Sequence, residues 1–351
     1  MMKLNHFTII LVVIAITLMV VSDVRTDNYV AVAQEKENLD QCFNKAIDDS
    51  TLNLVEIDGI ENLIVNRDRA VEEFFKSIYA SLDIIDNPEK RELLNYYVPV
   101  ISVTCEDGYY IYFSDRIKKS DGYSYINKRW TEKRPYVYED DDFVYGFTMT
   151  DTLTIYDKKG LLNPDEIGSV LTLDYHELVY NDLFAAFRSA RPDSFLLDND
   201  QFMMIRKQTI ISCVEDALSY YCNVHNNIAA QFGISYNFAL PVIDNSEWTR
   251  TIDNPCIIVL FQGYPYGSGE IEAYNRFVIA GASINRHEVY YLEQKDWYYV
   301  YHTEGCAELK KGGIILMDEP CHSVTECASK GAYACPYCSD GKGVYAPDYT
   351  P

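Results

Sequence analysis

The sequence predicts an α+β protein, with an N-terminal transmembrane helix, an antiparallel sheet packed on a long helix, and a small C-terminal knuckle of cysteine and histidine. Three observations carry that prediction. Phe7 to Ser22 reads FTIILVVIAITLMVVS and holds no charge. The apolar period is helical before Val98, two after it, and helical again from Asp198 to Phe232. Of ten cysteines, Cys306, Cys321, Cys327, Cys335 and Cys338 crowd the end of the chain.

The uncharged N-terminal run reaches back to Leu4. At ~1.5 Å per residue it extends about 28 Å, close to the hydrocarbon core of a bilayer. Lipid offers no partner for backbone polar groups, so a helix is the expected form. Lys3 and the amino terminus lie before the run, and Asp23, Arg25 and Asp27 follow it. That weak positive bias puts the N-terminus inside and the bulk of the chain outside the cytoplasm. A cleaved signal peptide is the rival reading, since Ala31-Val32-Ala33 has the small-x-small form of a cleavage site. It lies well beyond the apolar run, with three charges between. A buried helix is a third reading. The expected division is an anchor over 1–24, an amphipathic helical neck over 25–65, an extracytoplasmic α+β domain over 66–296 and a Cys/His tail over 297–351.

A chain of 351 residues has enough length for a sizeable core. Its formal net charge of −23 repels nucleic-acid phosphates, and no basic cluster interrupts it, so nucleic acid is excluded as a partner. Tyrosine is abundant, 30 residues against 15 Phe and 3 Trp, which suits exposed β-structure or a subunit interface.

In the neck, Leu39, Phe43, Ala46 and Ile47 recur at helical spacing until Gly59 interrupts the pattern. A second amphipathic helix carries Val71, Phe74, Phe75, Ile78 and Leu82 on one face, and Asn87-Pro88 opens a short third one. Ile101, Val103 and Cys105 alternate, Glu106-Asp107-Gly108 turns the chain, and Tyr109, Ile111 and Phe113 alternate back, which predicts a hairpin. Further strands are expected over 123–130, 136–138, 143–149 and 153–156. The acidic run Glu139 to Asp142 has no EF-hand spacing and reads as a solvated turn. Asn163-Pro164 opens a helical region. The long helix has a stripe of Ile205, Thr209, Cys213, Ala217, Tyr220, Val224 and Ile228, with Gly233 as its cap. Cys222 and His225 share a face there, yet no third metal ligand is visible. Strands are expected to resume over 235–239 and 255–261, followed by a Gly- and Tyr-rich loop over 261–269, then strands over 277–282, 289–292 and 297–301.

The end of the chain carries the strongest chemical signal. Cys335-Pro336-Tyr337-Cys338 places two thiolates in one tight turn, and His302 with Cys306 supplies two further donors from a strand end and the turn after it. Four N/S ligands, with no carboxylate and no open position, describe a structural zinc site. Such a site folds a segment too small to have a core of its own. Cys321, His322 and Cys327 lie inside the same segment as alternative metal or disulfide partners, and disulfides are permitted outside the cytoplasm. Cys42, Cys105, Cys213, Cys222 and Cys256 stand singly in apolar patterns and read as core residues.

Tyr301, His302, Cys306, Leu309, an expected helix over 325–330, Gly331, Cys335 and Cys338 resemble a small module of pattern Y-H-x3-C-x2-L, short helix, glycine turn and C-x2-C. The arrangement is similar to the metal-binding knuckle of Ada-type repair proteins. The resemblance implies zinc as a structural cofactor, and it implies no reaction. The larger body, with its anchor, its neck, VEEFFKSIY, CEDGYYIYF and NNIAAQFGISYNFALP, resembles uncharacterised single-pass proteins of Gram-positive bacteria associated with Tad-like pilus or conjugative gene clusters. That resemblance implies a structural or assembly component with envelope protein partners. A type IV prepilin would carry Gly before its apolar helix and Glu five residues into it, and neither stands here. An extracytoplasmic ligand-binding or sensor domain of Cache-like form, working with a partner, is the second reading; a secreted hydrolase is the third. No GxSxG or HExxH is present. His176-Glu177 and His287-Glu288 each lack a second metal-binding histidine, and no local context joins Cys213 or Cys256 to His176 as a thiol nucleophile.

Overall fold

The computed structural model describes residues 2–58, 62–118, 124–162, 167–175, 188–189, 191–232, 236–243, 248, 252–267, 269, 272–282, 290–295, 298–303, 306–310, 315–317, 320–321, 324–338 and 345–346. Its contacts divide the chain into two compact units, Met1–Ser283 and Ile284–Pro351.

The first unit opens with one continuous helix, α1 (Met2–Leu52). Its C-terminal half is the neck that the spacing predicts: Leu39, Phe43, Ala46 and Ile47 are buried. Among the described residues no helix is long and apolar enough to cross a membrane. The apolar run begins at Phe7, among side chains outside the described set. From Ile9 the described apolar side chains stand exposed on every side of the helix, among them Leu18 at 65% and Met19 at 68%. A hairpin of β1 (Val55–Asp58) and β2 (Asn62–Val65) follows, where the sequence offers only a break at Gly59, itself outside the described residues. Helix α2 (Arg67–Ser81) is capped by Asn66, whose side chain accepts from the Arg69 amide at 3.1 Å. Helix α3 (Pro88–Tyr96) starts the same way at Asn87, with Pro88 in its first turn.

The predicted hairpin is present as β3 (Val100–Cys105) and β4 (Gly108–Lys118), with Cys105 opposite Gly108. The glycine is required by close approach: a Cβ there would fall on the Arg134 carbonyl oxygen. Next come β5 (Ser124–Trp130), β6 (Tyr136–Glu139), β7 (Phe143–Phe147), β8 (Thr152–Asp157) and β9 (Val170–Asp174). Strand β9 corrects the expectation of a helical region after Asn163-Pro164, a pair that lies outside the described residues. Helix α4 (Asn199–Ala229) is capped by Asp198, and β10 (Cys256–Tyr266) and β11 (Glu272–Gly281) complete the unit. One antiparallel sheet has the order β11-β10-β3-β4-β5, and a second has the order β6-β7-β8-β9.

Period-two alternation gives the five-stranded sheet two apolar faces. Val100, Ile111, Phe113, Ile258 and Leu260 join the core built around α4, which the β6–β9 sheet also enters through Tyr136, Tyr145 and Phe147. The opposite face presents Phe261, whose ring stacks on Phe43 of α1 at 5.7 Å, while Phe43 meets Phe74 of α2 edge-on at 5.9 Å. The neck is thereby part of the core.

Four expectations need correction. The stripe named on α4 holds in part: Thr209, Ala217 and Ile228 are buried, but Tyr220 is 60% exposed, and the buried face is wider, taking in Phe202, Arg206, Ile210, Val214, Leu218, Tyr221 and His225. Arg206 and His225 interrupt an apolar count yet sit inward because they have partners. Arg206 reaches the Thr150 carbonyl and Asp151, and His225 Nε2 lies 2.8 Å from the Tyr96 carbonyl oxygen. The strand expected over 235–239 is absent from its described part, 236–239. Side-chain amides take the place of a neighbouring strand there: Asn226 brackets Phe238, and Gln262 brackets Ala239. The expected loop over 261–269 is largely the end of β10, with a bulge at Gln262/Tyr264 where Gly263 takes φ +77°. The acidic turn is exposed at Glu139 and Asp141, as expected, but it is tied down by ion pairs rather than left free. Lys158 meets Glu139 at 2.9 Å, Lys159 meets Asp142 at 2.6 Å, and Arg191 pairs with Asp142.

His225 makes the first unit pH-sensitive. Burial, then the nearby Lys128 charge, push its pKa down to about 4, against a weaker upward pull from the Tyr96 carbonyl. The unfolded chain therefore binds the proton that the folded one refuses, and stability falls as pH drops below the unfolded value of ~6.5. From about pH 7 to pH 5 the loss is expected to be about 2 kcal/mol. Chemical denaturation at both pH values checks it, and a variant with His225→Phe should lack that slope.

Candidate metal centre

The second unit is built on β12 (Tyr290–Gln294), β13 (Tyr299–Thr303) and β14 (Ala332–Ala334), with helix α5 (Val324–Ser329) before β14. β12 and β13 are antiparallel, and β13 and β14 are parallel. The helix expected over 325–330 is thus present within a residue at each end.

Alternation along β13 sorts the chemistry onto two faces. Tyr301 packs with Tyr290, Leu292, Cys321, Cys327 and Ala334. Val300 packs with Cys306 and Cys335, and His302 shares that side by parity. His302, Cys306, Cys335 and Cys338 come together there, with one ligand atom of each lying within 4.8 Å of the others. Cys306 Sγ is 3.8 Å from Cys335 Sγ, and His302 Nδ1 is 3.4 Å from Cys306 Sγ. Two thiolates at ~2.3 Å from a tetrahedral ion stand about 3.8 Å apart, and a thiolate and an imidazole nitrogen about 3.6 Å. The four side chains can therefore hold a metal ion with little rearrangement. The same sulfur spacing is far beyond a disulfide, and all ten cysteines are free thiols.

Local backbone explains the convergence. The Cys306 amide donates to the Thr303 carbonyl at 3.0 Å, which turns the chain back after β13. The Cys335 amide donates to the Tyr301 carbonyl at 3.1 Å, which seats the CxxC turn at the end of the β13–β14 ladder. The Thr303 amide donates to Cys338 Sγ at 3.4 Å. Burial raises the thiol pKa of Cys306 and takes Cys335 to about 12, while backbone hydrogen bonds at Glu308 and Tyr337 pull the other way, toward thiolate. Cys306 and Cys335 are thus held as thiols, and a bound cation must displace their protons. Burial also lowers the pKa of His302, leaving the imidazole in its neutral, ligating form.

Glu293 is the functional residue that sequence reasoning missed. It is buried, its Oε2 is 3.1 Å from His302 Nε2, and Lys295 covers its other oxygen. With Nε2–H donated to that carboxylate, Nδ1 is left unprotonated and aimed at the thiols, which is the tautomer a metal requires. The signal was available in the register: Tyr291 opposes His302 and Glu293 opposes Val300, so Glu293 shares the His302 face. Glu293→Ala is expected to weaken metal affinity by about 10- to 100-fold while leaving the four ligands in place. A chelator-competition titration checks it.

The alternative partners Cys321 and Cys327 lie on the opposite face of the sheet, and His322 lies outside the described residues. Cys222 and His225 gain no third ligand; among the described residues the tetrad is the one His/Cys/Asp/Glu group placed to bind a metal. His176 and His287 are outside the described residues. Cys256 is fully buried, 3.0 Å from Thr104 Oγ1, and burial pushes its pKa up to about 12, the reverse of an activated nucleophile.

Fold and site together define a mixed α+β protein with antiparallel sheets, a long central helix and a C-terminal Cys3His cluster. No protein-family model matches the chain, and no curated protein or solved structure does either.

Proposed function

We propose that this chain is a membrane-anchored, extracytoplasmic component of a pilus-like envelope assembly that works through protein contacts, with its C-terminal unit folded around a structural zinc ion. One observation carries the anchoring. Helix α1 runs without a break from an apolar first half, exposed on all sides, into a second half packed in the core. A helix apolar all round needs an apolar environment. Thr17 sits in that stretch with its hydroxyl donated to the Val13 carbonyl at 2.8 Å, a polar group satisfied within the helix as lipid demands. Zinc is the metal that a buried Cys3His set without a carboxylate favours. The net charge of −23 suits a domain that meets proteins rather than nucleic acid.

Cell fractionation tests the reading. The full chain should stay with membranes through alkaline carbonate washing and be released by detergent, and protease supplied outside the membrane should digest the body. Recovery in the soluble fraction, or a body shielded from external protease, contradicts it. Cross-linking before detergent extraction should recover envelope proteins with the chain, and an empty cross-link pattern counts against the assembly role.

A further inference from the structure

The outer face of the β4–β5 edge does not belong to the metal centre. On β4, Tyr112 and Ser114 point to the face opposite α4, and Ser114 stands directly across from Lys128 of β5. Helices α2 and α3 close over this edge and leave a cavity of about 290 Å³, lined by Phe75, Tyr79, Glu92, Tyr96, Tyr112 and Lys128 among others. Its size falls near the lower end of small-molecule sites, and its walls combine aromatic rings with a few polar groups, as such sites do.

The charges in it are unusual. The Lys128 ammonium donates to the Val98 carbonyl at 2.7 Å and lies 5.0 Å from the Phe75 ring centre and 5.9 Å from that of Tyr112. Among the described residues it has no carboxylate partner. Glu92 lines the same cavity; its carboxylate is hydrogen-bonded to Tyr96 and has no cationic partner among the described residues. An ammonium has three donors, and a partly buried one without a counter-ion is costly. Burial accordingly pushes Lys128 down to about 7. A cation and an anion on one cavity wall that do not pair with each other leave room for a molecule carrying the complementary charges, and the rings of Phe75, Tyr79 and Tyr112 offer its remainder an apolar, cation-tolerant surface.

We propose that this cavity binds a free α-amino acid with an apolar side chain, its carboxylate on Lys128 and its ammonium group on Glu92, with the side chain against the aromatic wall. The site would make the first unit a ligand-binding domain, independent of the metal centre and of the anchor.

Thermal shift and calorimetric titration of the full chain in detergent test it, with the apolar L-amino acids supplied singly at millimolar concentration. At least one should raise the melting midpoint in a dose-dependent way. Its N-acetyl and carboxamide derivatives, each lacking one charge, should not. Lys128→Met and Glu92→Gln should each weaken binding by about tenfold or more, the loss of a charge-assisted hydrogen bond. Glu92 is exposed, so its substitution keeps the test valid if Lys128→Met unfolds. The proposal is overturned if no amino acid shifts the midpoint, if the singly charged derivatives bind equally well, or if Glu92→Gln binds as the parent does.

Discussion

Cys335→Ser is expected to empty the metal centre and unfold the C-terminal unit, while α4 and the two larger sheets stay folded. Cys335 is 1% exposed and 3.8 Å from Cys306 Sγ, at the end of the β13–β14 ladder. The unit around it is small. Among the described residues its apolar clusters hold only a few buried side chains each, such as Tyr290, Leu292 and Tyr301 on one face and Val300 on the other. A structural zinc in such a setting contributes on the order of 10 kcal/mol to folding, more than a core of that size can replace. Three remaining ligands with a serine in the fourth place hold the ion far less tightly. Metal content should fall to near zero and limited proteolysis should cut after Trp297, with the protection of residues 199–229 unchanged. A fold that survives with its protease pattern intact would mean that the tetrad is not what organises the unit.

Phe43→Ala is expected to cost the first unit about 3–5 kcal/mol, the range for truncating a buried aromatic. Phe43 is fully buried and lies between Phe74 of α2 and Phe261 of β10. Removing it empties the junction where the neck joins the sheet. Nearby contacts tie the same seam by polar bonds: Tyr274 donates to Asp40 at 2.7 Å, and the Gly267 amide donates to Glu35 at 2.9 Å. Equilibrium denaturation measures the loss. A cost below about 1 kcal/mol would mean that the neck lies loosely on the body rather than within its core.

The hairpin around Asp107-Gly108 was legible because two signals agree there, alternation on both arms and a turn that needs glycine. The length of α4 was legible for the same reason, with Asp198 as cap and apolar recurrence behind it. Its inward face was legible only in part, because Arg206 and His225 are buried by hydrogen bonds that only the folded chain supplies. β1 and β2 escaped notice because four-residue strands carry too little periodicity. Residues 236–239 read as a strand because their pattern alternates. In the fold, Asn226 and Gln262 satisfy their backbone instead, and no local signal announces that substitution. The tetrad was readable from spacing, since CxxC and HxxxC fix pairs of ligands within single turns. Glu293 was not, because its role follows from register across two strands.

The most direct test of the metal centre is X-ray absorption at the zinc edge on protein purified without chelator. Three sulfur neighbours at about 2.3 Å and one nitrogen at about 2.0 Å, with about one zinc per chain, are the expected result. Protein that carries no metal and has fewer than ten titratable thiols after denaturation, or zinc bound mainly by oxygen, would contradict a structural site at His302, Cys306, Cys335 and Cys338.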